Sequence, residues 1–237
     1  MTRAEAAYST TTRPPGPYRA ARDHEPRAAL DGLHAAVADD ALVCGPSGHA
    51  VASAERVASA RRTWQNGEFA EFTAGSGAGP YPLGAPVLAE LGIVALRCAP
   101  PRPADAGPPA DPGPGDGWQL GLLRLRLGLS ERLRDAVLTH LRERSFGDTP
   151  LLQHQLLRGA LADVTIEHLE VHGMLDEARL GPAAVAELHR KLGQADRILL
   201  RSFGAAGFLA TGPGAYACLS ELLGDVYALR TTTETGR

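Results

Sequence analysis

The sequence predicts a mainly α protein, with a C-terminal up-down four-helix bundle behind a smaller α(+β) N-terminal region. Three observations carry this. Four apolar stripes recur at three- and four-residue spacing in the second half of the chain. A stretch at 99–117 holds seven prolines and four glycines. The region before it mixes alanine-rich segments with short apolar runs.

The stripes define the helices in order. Leu122, Leu125, Leu129 and Leu133 open the first, which ends near Arg144. Leu157, Leu161, Val164, Val171 and Leu175 form the second, within 150–178. Val185, Leu188, Leu192, Ala195 and Leu199 form the third, starting at Pro182, a favoured first-turn residue. Leu219, Leu222, Val226 and Leu229 form a shorter fourth. Spacing of three and four puts each set on one helix face, and four such helices with short links bury their stripes together.

The remaining organisation follows from composition. Residues 1–27 read as a disordered tail, 28–98 as a reduced N-terminal region, 99–117 as a linker, 118–230 as the bundle and 231–237 as a second tail. Within 28–98, segments at 28–38 and 50–64 read as helical from their alanine content, and 41–44 as a short strand. Residues 75–84 read as a loop, and the apolar run 87–98 fits either a helix or a buried strand.

Bulk properties narrow the function. The net charge is −3 and Lys191 is the sole lysine, so nothing points to nucleic acid or an anionic membrane. The polar N-terminus lacks a signal-type apolar core, and no run is long enough to span a membrane. Cys44, Cys98 and Cys218 lie far apart in sequence, without metal-type spacing. A cytoplasmic protein without a disulfide scaffold is expected.

The junction of the first two helices reads Gly128-Leu129, Arg144, Phe146-Gly147, Pro150-Leu151, Gln155 and Leu161-Ala162-Asp163. The third helix exits through Arg201, Gly204-Ala205 and Gly207-Phe208, and the fourth carries Gly224-Asp225. In order and spacing this resembles the C-terminal four-helix domain of the acyl-CoA dehydrogenases, over somewhat under half of the chain. The resemblance implies a shortened, divergent member with a degenerate N-terminal region. It implies subunits packed through the bundle, whose two turns reach the FAD pyrophosphate and adenosine of a neighbour. The cofactor-binding candidates are Arg144, Ser145, Phe146, Arg201 and Gly204. Arginine offers fork-shaped donors to phosphate, and backbone amides at a helix start favour anions.

The departures are specific. Glu143 stands where the family usually has the arginine, Arg201 replaces a glutamine, Ala205 a second glycine and Gly224 an arginine. No stretch matches the family's flavin-ring contacts; 72–79 comes nearest. The family's base is often a glutamate after the last helix. One register places Thr233 there and another Leu229 or Arg230, so the catalytic candidate is Glu234, one residue from the first register.

Other constellations are weaker. His168 and His172 are four apart on the second helix, but no other helix offers the matching Glu-x-x-His of a di-metal site, so no metal is expected. They read as a solvated or interface pair. The arginines at 124, 126, 132, 134, 142 and 144 read as a solvated face, or as a surface for nucleotide phosphates or an acidic partner.

The resemblance therefore implies a subunit that assembles as a homo- or hetero-oligomer with an acyl-CoA dehydrogenase-like partner. FAD would sit at their interface and an acyl thioester would be the substrate. The alternative is a flavin-free, non-redox descendant acting as a dimerising scaffold or with a new activity. A plain interaction module is the third reading.

Overall fold

The structure is a computed structural model, and it describes residues 16–23, 25–65, 67–71, 80–98, 115–176, 180–208 and 212–227. The first described segment is already ordered. Helix α1 (Pro17–Asp23) buries Ala20 and Ala21 against the bundle, so the expected tail gives way to structure from Pro17. Helix α2 (Pro26–Val37) starts on a proline whose fixed φ suits a first turn, and buries Leu30, Leu33 and His34.

Two small sheets follow. Strand β1 (Ala41–Val43) pairs in parallel with β3 (Arg62–Gln65), which pairs antiparallel with β4 (Glu68–Glu71). Strand β2 (His49–Ser53) pairs antiparallel with β6 (Ile93–Arg97), flanked by β5 (Tyr81–Leu83). Between them lie α3 (Ala54–Ser59), capped by the Ser53 hydroxyl on the Arg56 amide at 2.9 Å, and α4 (Pro86–Ala89).

Three expectations change here. Residues 50–64 are not one helix: they supply the end of β2, all of α3 and most of β3. Pairing such as Val51↔Ala95 and Ala52↔Val94 overrides the weak helical preference of alanine. The run 87–98 is both of its alternatives in turn, with Gly92 at φ 64 between helix and strand. Residues 81–83 of the expected loop are strand; 75–79 lie outside the described residues.

The first three stripes form their helices as expected; in the fourth, Leu219 is buried together with Leu223 and Tyr227, Leu222 and Val226 are half-buried, and Leu229 lies outside the described residues. Helix α5 (Gly115–Arg142) begins three residues inside the expected linker. A hairpin of β7 (Ser145–Phe146) and β8 (Thr149–Pro150) leads through a 3-10 turn, Leu151–Gln153, into α6 (Gln155–Leu175). Helix α7 (Pro182–Phe203) continues into a second 3-10 turn, Gly204–Phe208, and α8 (Gly214–Tyr227) completes the set.

Helix α5 is the axis of the molecule. Leu133, Val137 and Leu141 pack with Leu161, Val164 and Leu199, while Leu123 and Leu127 pack with Val171, Val185 and Leu188. Its third side, Trp118, Leu122, Leu125 and Leu129, shares one cluster with Leu30, Val51, Ile93 and Tyr227. Residues from both sides of the expected boundary at 99–117 therefore share one core. Gly128 makes the crossing with α1 possible: a Cβ there would lie 2.4 Å from the Tyr18 carbonyl oxygen.

Candidate functional site

The two turns singled out from the sequence meet at one end of the bundle. The last turn of α5 sets His140 against Phe203 at the end of α7, with 5.1 Å between ring centroids. Leu151 and Leu152, after the hairpin, pack on the cluster that contains Leu141, Leu199 and Phe203. The hairpin reverses through Gly147 at φ 58, and the Leu151 amide donates to the Arg144 carbonyl at 2.8 Å.

The candidates occupy this end as an open surface. Arg144 is exposed just before the hairpin's first strand, and Ser145 and Phe146 are exposed on it, with Phe146 76% accessible. Arg201 is exposed in the last turn of α7, and Gly204 caps that helix at φ 59. Gly207 and Gly214 then approach so closely that a Cβ on Gly214 would lie 1.8 Å from the Gly207 carbonyl oxygen. Glu234 lies outside the described residues.

Sequence reasoning did not single out a neighbouring groove. It encloses about 440 Å³ and is lined by Arg142, Pro150, Leu152, Gln153 and Arg158. In sequence Arg142 belongs with the other α5 arginines, and Arg158 stands apart from the turn motifs. The available signal was an arginine on each side of the predicted Phe-Gly turn. Together these groups make a cationic surface suited to phosphate oxygens.

The bundle interior holds a second set of polar groups. The Glu131 carboxylate accepts from Tyr18 Oη at 2.5 Å and from Arg22 Nη1 at 2.5 Å, and lies 3.2 Å from His172 Nε2. Burial, reinforced by Glu131, pushes the Tyr18 phenol up. His168 sits 2.8 Å from the Ser130 hydroxyl. Burial lowers its pKa to about 4, so it is neutral. Of the two histidines expected to be solvated or at an interface, His168 is buried within the chain and His172 is half-buried.

Arg126 likewise leaves the expected solvated face. Its guanidinium is buried 2.7 Å from His189 Nδ1 and donates through Nε to Ser220 at 3.2 Å. Burial brings His189 down to about 3, and the Arg126 charge pushes the same way. Burial raises the Asp196 carboxyl, against the pull of Arg126. Leucines on every side of α5 leave its middle without a solvated face. Among the described residues, no group of three or more His, Cys, Asp or Glu side chains is placed to hold a metal.

No protein-family model and no curated protein matches the chain in sequence. Its structure matches solved ones. A chain of the ChsE4-ChsE5 complex from Mycobacterium tuberculosis aligns at 18% identity and a TM-score of 0.53, over 78% of this chain and 62% of that one. A provisionally assigned acyl-CoA dehydrogenase from Mycobacterium smegmatis aligns at 14% identity and a TM-score of 0.52, over 89% and 74%.

The chain has an acyl-CoA dehydrogenase-like fold. Both alignments cover far more of the chain than 118–230, so the likeness extends into the N-terminal half. The chain nevertheless spans less than two thirds of its counterpart in the ChsE4-ChsE5 complex. Among the described residues, no helix is long and apolar enough to cross a membrane.

Proposed function

We propose that the chain is a shortened acyl-CoA dehydrogenase-like subunit. It assembles with a full-length partner for FAD-dependent α,β-dehydrogenation of an acyl thioester. One observation carries the reading: Arg144, Ser145, Phe146, Arg201 and Gly204 come from two separate turns yet are exposed at one end of the bundle.

The residues present fit the phosphate end of FAD. Arg144 and Arg201, with Arg142 and Arg158 in the adjoining groove, would hold the pyrophosphate, and the Phe146 ring would lie against the adenosine. FAD held there would supply a hydride acceptor for the oxidation of the thioester. The partner supplies the ring pocket and the carboxylate that removes the α-proton. Glu143, before the hairpin, and Asp148, in its turn, are also exposed, and their carboxylates oppose a phosphate that the arginines must hold.

Assembly has its own support. Ile166 and Leu169 on α6 are 54% and 65% accessible and share a side of the helix with the exposed Ala162, an apolar face suited to another subunit. That face also favours the second reading, a flavin-free dimerising scaffold, because it does not depend on a cofactor.

Co-expression with a full-length acyl-CoA dehydrogenase separates the two. The proposal expects a stable hetero-oligomer that is yellow and active, and a colourless chain alone. A complex without flavin absorbance, or an active flavin-free monomer, would overturn it.

A further inference from the structure

The Cys44 and Cys98 sulfurs are 2.9 Å apart, and both residues are buried. They are 54 positions apart in sequence and neither has a redox-type partner nearby in the chain. The fold brings them together in a specific way. Cys44 follows β1, and its amide donates to the Trp64 carbonyl. The chain then turns at 45–48, closed by the Gly45 amide on His49 and helped by Gly48 at φ 73. Cys98 continues β6 beyond the His49↔Arg97 pair, with its amide on the Gly48 carbonyl at 2.8 Å. The turn thus returns Cys44 to face the end of β6.

We propose that Cys44 and Cys98 form a redox-active dithiol, oxidised to an intramolecular disulfide by low-molecular-weight disulfides of the glutathione class. The Cys44 thiol donates its hydrogen bond to Cys98, which favours the thiolate on Cys98 and disfavours it on Cys44. Cys98 is therefore the first nucleophile. Its thiolate attacks one sulfur of the oxidant and expels a thiolate, leaving a mixed disulfide. Cys44, once deprotonated, attacks the Cys98 sulfur and expels the second thiolate. The protein loses two protons and two electrons, and one external disulfide becomes two thiols. Because both cysteines are buried, the exchange requires a local opening at the end of β6.

The bond would act at the junction of the N-terminal region with the bundle. A Cβ on Gly45 would lie 1.8 Å from the Val226 carbonyl oxygen, so the turn after Cys44 rests directly on the last turn of α8. Oxidation fastens the ends of β1 and β6 beneath that helix. It also closes a long loop in the unfolded chain, which raises the melting midpoint by roughly 5–10 °C.

The test uses the full chain carrying Cys218→Ser, which removes the exposed thiol. After incubation with oxidised glutathione, intact mass and peptide mapping read the state of the two remaining cysteines. The expected result is a loss of two hydrogens, a peptide cross-linked through Cys44 and Cys98, and a raised melting midpoint that reductant reverses. Recovery of both cysteines as free thiols, or as two separate glutathione adducts, overturns the proposal. Adding Cys44→Ser should leave glutathione held on Cys98; release of that adduct without reductant also counts against it.

Discussion

The Tyr227 hydroxyl lies 2.9 Å from the Val51 amide nitrogen, joining the last residue of α8 to β2 across 176 positions of chain. The same hydroxyl donates to the Val43 carbonyl of β1 at 3.1 Å. One side chain at the end of the bundle thus satisfies backbone groups in both small sheets. His34 does the same from α2, 3.1 Å from the Val43 amide through Nδ1 and 2.9 Å from the Val51 carbonyl through Nε2. Accepting from Val43 makes Nδ1 the bare nitrogen, so Nε2 carries the proton.

Tyr227→Phe keeps the ring against Trp118 but strands the Val51 amide without its partner. The expected cost is about 1–3 kcal/mol, the usual penalty for a buried donor left unpaired. Chemical denaturation followed by circular dichroism checks this. A cost near zero would mean that the N-terminal region does not unfold together with the bundle.

Acid should destabilise the protein through its buried histidines. Burial lowers His34 and His168 to about 4 and His189 to about 3. Each is neutral when folded but binds a proton near pH 6.5 when unfolded. The unfolded chain therefore holds more protons across that window, and stability is lost as pH falls from about 6.5 towards 4. Each residue contributes up to about 3 kcal/mol to the loss. Asp196, with its carboxyl raised by burial, works in the opposite direction. Urea midpoints measured at pH 7.5 and 4.5 test this, and equal midpoints contradict it.

The bundle was legible because its helices are long and strictly periodic. The same periodicity contained a clue to its polar interior. His168 falls in phase with Leu161, Val164, Val171 and Leu175, all buried, so its burial could have been read from spacing alone. Arg126 lies among leucines on every side of α5. The N-terminal strands were less legible, because three- to five-residue elements are fixed by partners distant in the chain. Alanines at 50 and 52 become strand only because β6 pairs with them. At the site, the turn motifs placed Arg144 and Arg201, but the groove with Arg158 needed the hairpin's geometry.

Two glycines should respond in opposite directions. Gly204 ends α7 at φ 59 and ψ −140, a conformation that side chains avoid, so Gly204→Ala should cost about 1–3 kcal/mol. Gly159 lies inside α6 with open space where a Cβ would go, so Gly159→Ala should stabilise by about 0.5–1 kcal/mol. Thermal melts of the two variants separate the effects, and the same sign for both would contradict this account.

Arg144 and Arg201 are exposed, so replacing them should leave stability within about 0.5 kcal/mol of the parent. Their effect should appear only in the assembled state. A charge-assisted hydrogen bond contributes about 1.5–3 kcal/mol, so under the proposed function Arg144→Gln or Arg201→Gln should weaken FAD binding by the hetero-oligomer roughly 10- to 100-fold. Phe146→Ala removes ring contact without removing charge, and its effect should not depend on salt. The two arginine variants should flatten the salt dependence of flavin binding, since each removes a cation facing phosphate. Flavin titrations at low and high salt distinguish these outcomes. Unchanged affinity in both arginine variants would place the flavin phosphates elsewhere and leave the α6 face as the remaining evidence for assembly.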